Sequence, residues 1–460
     1  MASSSPTKLN GHAPPLHDIR IHIVGAGMGG MGSALSLARQ GFTNITVWEQ
    51  ALYLDEVGAG INIPPNCGRI LSRWGVMGIC KAEGVAIERA NVIDFDCETD
   101  EIISSAGYSQ HMIHDYGFPF ITVHRAALQK SLVRGALDTG RVQLITDQVI
   151  TEYDFDRTRL RVRDNDTDEM EWVDADVIIA ADGIKSQARQ AMYAKIGKVD
   201  EVEDSGQAAY RIMVKKSAVQ DDPELLKFFS SKQSFRWIGE NRHVMGYPIN
   251  AGELFNISTS QPDGHFVAAE SWTALGNKSD MLATFSDFPK RVQRLLAAVP
   301  EHQVLEWRLR EHKPLPVWVT GNIALLGDSC HPTLPHLAQG AAQALEDSVA
   351  IGIVLSRIKK KEHIHAALMV YQKLRKPRTD WAVSMATANS LALHQDRSAR
   401  EAALKAAREG LVGDAGEAVV DKLASRELHD KLFKYDIALE AEQHFSQMLT
   451  EELMGAVSIS

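Results

Sequence analysis

The stretch from Ile19 to Glu49 restricts the folds open to this chain more than any other. A short β-branched run, Ile19 to Val24, stops at Gly25-Ala26-Gly27-Met28-Gly29-Gly30. A helical pattern follows from about Met28 to Gln40, with Ala34, Leu35, Leu37 and Ala38 available for packing, and Gly41 ends it. A second strand, Ile45 to Trp48, finishes at Glu49, about 20 residues beyond the glycines, the spacing of a dinucleotide-binding βαβ unit. Gly25 permits the tight turn, Gly27 lets backbone approach a pyrophosphate, and Gly30 lets helix and strand pack closely. The helix N-terminus then attracts the phosphates. Glu49 would accept hydrogen bonds from a ribose and would repel a 2′-phosphate.

A second stretch, Leu325 to Ser348 (LLGDSCHPTLPHLAQGAAQALEDS), joins a strand-like run, a Gly-Asp turn and the start of a small-residue helix. Its carboxylate can hold a polyol while backbone N–H groups aim at an electron-rich ring, and those two needs together are those of a flavin. By itself the stretch is also consistent with an ordinary strand-to-helix turn carrying an acid.

Composition narrows the class. A chain of 460 residues, 45% apolar and 23% charged, can bury a large core as two or three domains or as one enzyme around a cofactor. A net charge of -10 without a dense Lys/Arg block argues against nucleic acid and against an anionic membrane surface. No apolar run approaches the roughly 20 residues of a membrane-spanning helix. The polar, Ser- and Pro-containing lead-in, residues 1–17, is expected to be disordered. Cys67, Cys80, Cys97 and Cys330 form no C-x-x-C, so a reducing compartment, most simply the cytoplasm, is expected.

Farther along, Gly58-Ala59-Gly60-Ile61 is loop-like and Asn66 to Gly75 is helix-like. Val92 to Ser105 alternates like strands, and Val123 to Leu128 opens a helix running to about Leu137. Strands are expected at Val142 to Thr146, Arg159 to Arg163 and Ala175 to Ala180, the last ending in Ala181-Asp182-Gly183. Arg189, just beyond, is placed to pair with Asp182. Residues 200–295 change character, with strand-like pieces at Ala209 to Val214, Gln233 to Ile238, His243 to Ile249 and Leu254 to Thr259. From Ile364 onward the pattern is helical and charged. Arg397, Arg400, Glu401, Lys405 and Arg408 fit a solvated face or a homodimer contact.

The order Gly25-x-Gly27-x-x-Gly30 with Glu49, then Asp182-Gly183, then Gly327-Asp328 resembles the single-component FAD-dependent aromatic hydroxylases, in particular the salicylate hydroxylase-like branch, over roughly residues 18–385. That resemblance implies an α/β fold: a Rossmann-like FAD-binding domain (18–90, 115–195 and 296–385), an inserted β-sheet substrate domain (91–114 and 196–295) and C-terminal helices (386–460). It implies bound FAD, with Gly25, Gly27 and Gly30 at the pyrophosphate, Glu49 at the ribose, Gly60 and Arg125 beside the flavin, Asp328 at the ribityl chain, and the backbone of Gly340, Ala341 and Ala342 at the ring. The segment HRAAL departs from the family pattern, in which an acid often precedes the leucine. Asp182 and Gly183 match a motif associated with FAD and the nicotinamide. No second GxGxxG occurs, as befits a family in which NADH or NADPH is a transient co-substrate.

The implied reaction is an NAD(P)H- and O2-dependent hydroxylation of a phenol, a salicylate-like acid or small polyketide phenol, through a C4a-hydroperoxyflavin. Such a site must keep water out and needs a base for the phenolic proton. His243 and Tyr247, four apart on a strand, point to one face and are the candidates. The same His-x-x-x-Tyr-Pro run occurs in phenol hydroxylases this chain resembles. Arg211, among apolar neighbours in AAYRIMV, can bind a phenolate or carboxylate. His331 and His336 come with no further Cys or carboxylate pattern, so no metal is expected. Epoxidation or oxidation of a larger isoprenoid or polyketide scaffold, and a non-oxygenating FAD-binding NAD(P)H oxidase, are the competing readings.

Overall fold

The computed structural model describes residues 16–54, 59–94, 102–200, 202–264, 273–395 and 425–457, with 398, 399 and 402 besides. Nearly all of the expected lead-in, Gly58, Cys97 and the charged positions Arg397, Arg400, Glu401, Lys405 and Arg408 lie outside the described residues.

The first strand, helix and second strand form as the sequence pattern requires, at Ile21–Val24, Met28–Arg39 and Ile45–Trp48. Every residue of the two strands is buried, because parallel strands covered on both faces must be apolar throughout. They pair in parallel, and Ile21–Val24 also pairs in parallel with Val177–Ala180. Val142–Ile145 and Ile323–Leu325 extend this sheet on its two sides, and Val319–Thr320 closes one edge antiparallel. At the glycine turn, Gly25 has φ +96°, and a Cβ on Gly30 would lie 1.8 Å from the Gly25 carbonyl oxygen. Only glycine fits either place.

The helix Gly340–Ser356 packs along Met28–Arg39. Small side chains make the approach close: Ser33 Oγ lies 3.2 Å from Ser348 Oγ, which also donates to the Gly29 carbonyl at 3.1 Å. The packing brings the N-termini of both helices to the same cavity, where Gly27, Met28 and Gly340 line one wall.

A second sheet has eight strands, in the order Thr273–Leu275, Leu305–His312, Val202–Lys215, Leu254–Pro262, Arg242–Ile249, Gln233–Gly239, Arg89–Asp94 and Ile102–Gly107. This corrects the boundary expected at residue 296. Leu305–His312 pairs antiparallel with Val202–Lys215 and belongs to the large sheet. The reason is non-local: that strand is polar enough to read as a connector, and only its ladder partner, some hundred residues earlier, defines it. Segment 115–195 likewise contributes a separate antiparallel sheet, Gln148–Asp154, Arg159–Asp164 and Met170–Asp174. The stretch after Gly107 is a helix, Ser109–Tyr116. A helix, Lys290–Ala297, precedes the Leu305–His312 strand.

The large sheet has two unlike faces. Tyr210, Ile212, Trp237, Val244, Phe255 and Ile257 pack with Phe228, Leu295 and Leu296 in a core of their own. The alternate positions Arg211, Arg236, His243, Met245, Asn256 and Ser258 are thereby turned to the opposite face, toward the cavity. Among the described residues no helix is long and apolar enough to cross a membrane.

Candidate active site

A cavity of about 340 Å3 lies between the glycine turn, the Gly327 turn and the large sheet. Gly25 and Gly30 build its turn, while Gly27, Gly60, Arg125, Gly183, Arg211, His243, Tyr247, Asp328, Gly340 and Ala341 line it. Side chains and backbone chosen from distant parts of the sequence thus meet at one place.

The nucleotide side has the shape of a cradle. A Cβ on Gly27 would meet nothing within 4 Å, so the backbone there is open to the cavity. Glu49 accepts from the Ala26 N–H at 2.7 Å and the Ala51 N–H at 2.9 Å, which fixes its carboxylate beside the turn. Asp328 sits in the one-turn helix Gly327–Ser329 with its side chain exposed into the cavity. In the Gly340 helix the first intrahelical bond is donated by Gln343 to the Gln339 carbonyl at 2.8 Å. The N–H groups of Gly340, Ala341 and Ala342 therefore have no carbonyl within the helix. The Ala342 side chain packs in the main core, so only its backbone belongs to this helix N-terminus.

Asp182 is placed differently from expectation. Its side chain turns from the cavity and accepts from the Ala188 N–H at 3.1 Å, capping the helix Gln187–Lys195; burial raises its pKa. Only its neighbours Ala181 and Gly183 line the cavity. The expected Arg189–Asp182 pair gives way to Arg189–Asp200, with Nε 3.0 and 2.9 Å from the two carboxylate oxygens. The guanidinium also donates to the Ser329 carbonyl at 3.0 Å, bracing the turn that carries Asp328.

On the sheet side Arg211 is half-buried, with its guanidinium 4.5 Å from the ring centre of Trp307, a residue of the strand reassigned above. Burial, then the nearby Arg125, lowers its pKa to about 10, so it remains a cation at neutral pH. Tyr247, on the same face two and four residues from Met245 and His243, has its phenol pushed up by burial, against the pull of Arg211. Gly60 is tied to this sheet by its N–H, which donates to Asn256 Oδ1 at 2.6 Å.

His243 has company that sequence reading missed. His336 and His394 surround it, with ring centres 5.4 and 5.1 Å away. His243 Nδ1 lies 2.9 Å from His394 Nε2. Burial first, then His336, His394 and Arg236, holds His243 well below the usual histidine pKa, so the ring is neutral. No local pattern could have paired it with a residue 151 positions away.

A buried charge network also escaped the sequence reading. Arg375 donates to Asp347 Oδ1 and Glu346 Oε2, both at 2.7 Å, and Arg378 donates to Glu346 Oε2 at 2.6 Å. Asn66 donates to Glu346 Oε1 at 2.8 Å. Asp347 Oδ2 meets His331 Nε2 at 2.5 Å and accepts from the Gly327 N–H at 3.1 Å. The available signal was a Glu-Asp pair inside an otherwise apolar helix, ALEDSVAIGIVL. Cys330, His331 and Asp347 bring possible ligand atoms within 4.8 Å of one another. Asp347 is already matched by Arg375 and His331, and Cys330 is held as a neutral thiol by burial and by Asp347, so the group reads as an ion-pair network.

Residues 18–386 match the protein family described as FAD binding domain. The chain is 31% identical to the FAD-dependent monooxygenase ntnJ of Nectria sp, over 81% of this chain and 84% of that one. It is 32% identical to 3-hydroxybenzoate 6-hydroxylase 1 of Aquipseudomonas alcaligenes, over 73% and 80%. Its fold matches a salicylate hydroxylase solved as a substrate complex, with a TM-score of 0.72 at 22% identity, covering 93% and 98% of the two chains. The helix-flanked parallel sheet, the open glycine turn and the Asp328 turn agree with that assignment, and the chain belongs to the FAD binding domain family as an FAD-dependent monooxygenase.

Proposed function

We propose that this enzyme hydroxylates a small phenol, a salicylate-like acid or a polyketide phenol, using O2 and NADH or NADPH. The observation that carries the reading is the meeting of a neutral His243, a protonated Tyr247 and a cationic Arg211 on the sheet face opposite the nucleotide cradle. A neutral imidazole can accept a phenolic proton; a tyrosine hydroxyl can donate to the oxygen left behind; a guanidinium can hold that oxygen or a neighbouring carboxylate. The 3-hydroxybenzoate hydroxylase among its relatives acts on a molecule with both groups.

In this reading Gly25, Gly27 and Gly30 receive the FAD pyrophosphate, Glu49 the ribose and Asp328 the ribityl chain. Gly60 and Arg125 flank the ring. The N–H groups of Gly340, Ala341 and Ala342, which have no carbonyl within the helix, offer positive potential to its electron-rich edge. Asp182 acts indirectly, by fixing the Ala181–Gly183 backbone. When bound, FAD supplies the electron transfer from NAD(P)H and the activation of O2 that side chains cannot. The chain's own part is to exclude water, orient the ring and take the phenolic proton.

A cytoplasmic location is part of the proposal, supported by the buried free thiols of Cys67, Cys80 and Cys330. So is a homodimer formed through the charged C-terminal helices, tested by light scattering on the purified protein. The activity is tested by NAD(P)H consumption and product mass with FAD-loaded enzyme against salicylate, 3-hydroxybenzoate, 6-hydroxynicotinate and an acylphenol. A product heavier by one oxygen with any of them supports the reading; cofactor oxidation without product from all of them overturns it.

A further inference from the structure

The cavity histidine is joined to the surface. His243 lines the cavity, its Nδ1 meets His394 Nε2 at 2.9 Å, and the two rings stack at 25°. His394 caps the C-terminus of the long helix Ile364–Leu393 and is partly exposed, and Leu391 and Gln395 beside it are exposed. Its Nδ1 lies 3.0 Å from Gln207 Nε2. Gln207 is in turn bracketed by two hydroxyls: Nε2 is 3.0 Å from Ser390 Oγ, and Oε1 accepts from Ser260 Oγ at 2.8 Å.

This arrangement solves a problem that the base assignment creates. His243 is buried beside His336 on the Pro335–Leu337 turn and near Arg236 on the adjacent strand, and among the described residues no carboxylate helps to set its charge. An imidazolium formed there meets no stabilising carboxylate among the described residues, so a proton taken from substrate is best handed on. We propose that His394 is the positioning residue that sets which nitrogen of His243 carries the proton, and that it passes the substrate's phenolic proton from His243 to solvent. The proposal rests on the reading of His243 as the base.

The chain has two matched states. With Gln207 donating to His394 Nδ1, His394 carries its proton on Nε2 and donates to His243 Nδ1, and His243 then presents Nε2–H to the cavity, as a phenolate oxygen requires. With the Gln207 amide turned, its oxygen accepts from His394 Nδ1–H. His394 Nε2 then accepts from His243 Nδ1–H, and His243 Nε2 offers a lone pair to a phenol. The hydroxyls of Ser260 and Ser390 both donate and accept, so the amide can turn without losing partners. In the transfer the substrate O–H bond breaks and a bond to His243 Nε2 forms. The Nδ1 proton of His243 moves to His394 Nε2, and the Nδ1 proton of His394 leaves to water. Nothing is oxidised or reduced.

The test compares FAD-loaded wild type with His394→Gln, whose amide can hold His243 but cannot be protonated, on whichever phenol of the panel gives product. The expected result is unchanged FAD content, KM within about twofold and kcat lowered about tenfold or more, with the loss relieved as pH rises and the phenol arrives already ionised. Wild-type kcat and pH profile in His394→Gln, alongside an inactive His243→Ala, would overturn the relay and leave the base standing. Undiminished product from His243→Ala would instead overturn the base reading itself. Should His394→Gln lose FAD, wild-type holoenzyme labelled with 15N-histidine decides the matter. A hydrogen-bonded N–H shared between the two rings supports the relay, and two rings with no such coupling overturn it.

Discussion

Arg375 Nε donates to Asp347 Oδ1 at 2.7 Å, with both side chains fully withdrawn from water. Burial works to raise the Asp347 carboxyl, but His331 and Arg375 overcome it and hold the group low; Arg375 is itself held protonated by Glu346 and Asp347 against burial. Because the other oxygen of Asp347 takes the Gly327 N–H, the pair also fixes the turn that carries Asp328. Arg375→Met should therefore cost roughly 3–5 kcal/mol, by leaving buried Glu346 to Arg378 and Asp347 to His331 alone, and should weaken flavin retention. Urea unfolding with the flavin-to-protein absorbance ratio checks both.

The glycine turn allows a sharper separation of fold from binding. A methyl on Gly27 meets no protein atom, so Gly27→Ala should leave the apoprotein within about 0.5 kcal/mol of wild type yet lose FAD. Gly30→Ala, whose Cβ would strike the Gly25 carbonyl, should fail to fold stably. Calorimetry of the apoproteins and flavin titration distinguish the two outcomes.

Asp328 is an exposed carboxylate aimed into a cavity with no fold-stabilising bond from its side chain among the described contacts. Asp328→Ala should thus cost FAD and little stability. Stoichiometric yellow flavin after purification of the variant would count against its proposed grip on the ribityl chain.

His243→Ala and Tyr247→Phe should each depress hydroxylation about 100-fold or more while FAD stays bound and NAD(P)H oxidation continues in part. Product mass and cofactor consumption, measured together, show the uncoupling. Equal product in both variants with a phenolic substrate would remove the assignment.

The histidine cluster also predicts how stability follows pH. Burial and Arg236 lower His394 from 6.5 to about 4, and His243 and His336 are lowered as well. Between about pH 6.5 and about pH 4 the unfolded chain binds protons that these rings refuse when folded, so stability falls as pH falls through that window and does not change above it on their account. His394→Gln should flatten the slope, as read from denaturant midpoints at about pH 7 and about pH 5.

Much of the site was legible locally. The period of two along Arg242–Ile249 places His243 and Tyr247 on one face, and apolar Tyr210 and Ile212 turn Arg211 the other way, toward the cavity. The Gly25, Gly27 and Gly30 spacing, with Glu49 after the second strand, required a βαβ unit, and the structure has one. What lay beyond reach was every choice among distant partners. Even between two nearby acids the sequence does not choose: Arg189 pairs with Asp200, while Asp182 accepts from the Ala188 N–H.

The sequence by itself determined the periodic elements, because strand alternation, helix periodicity and the steric demands of a glycine turn act over a few residues. Tertiary structure alone decided that His394 meets His243, that Glu346 and Asp347 are answered by Arg375 and Arg378, and that Leu305–His312 joins the large sheet. Such pairings depend on how whole elements pack and which charges that packing removes from water, and a buried charge accepts whatever partner the fold brings within reach.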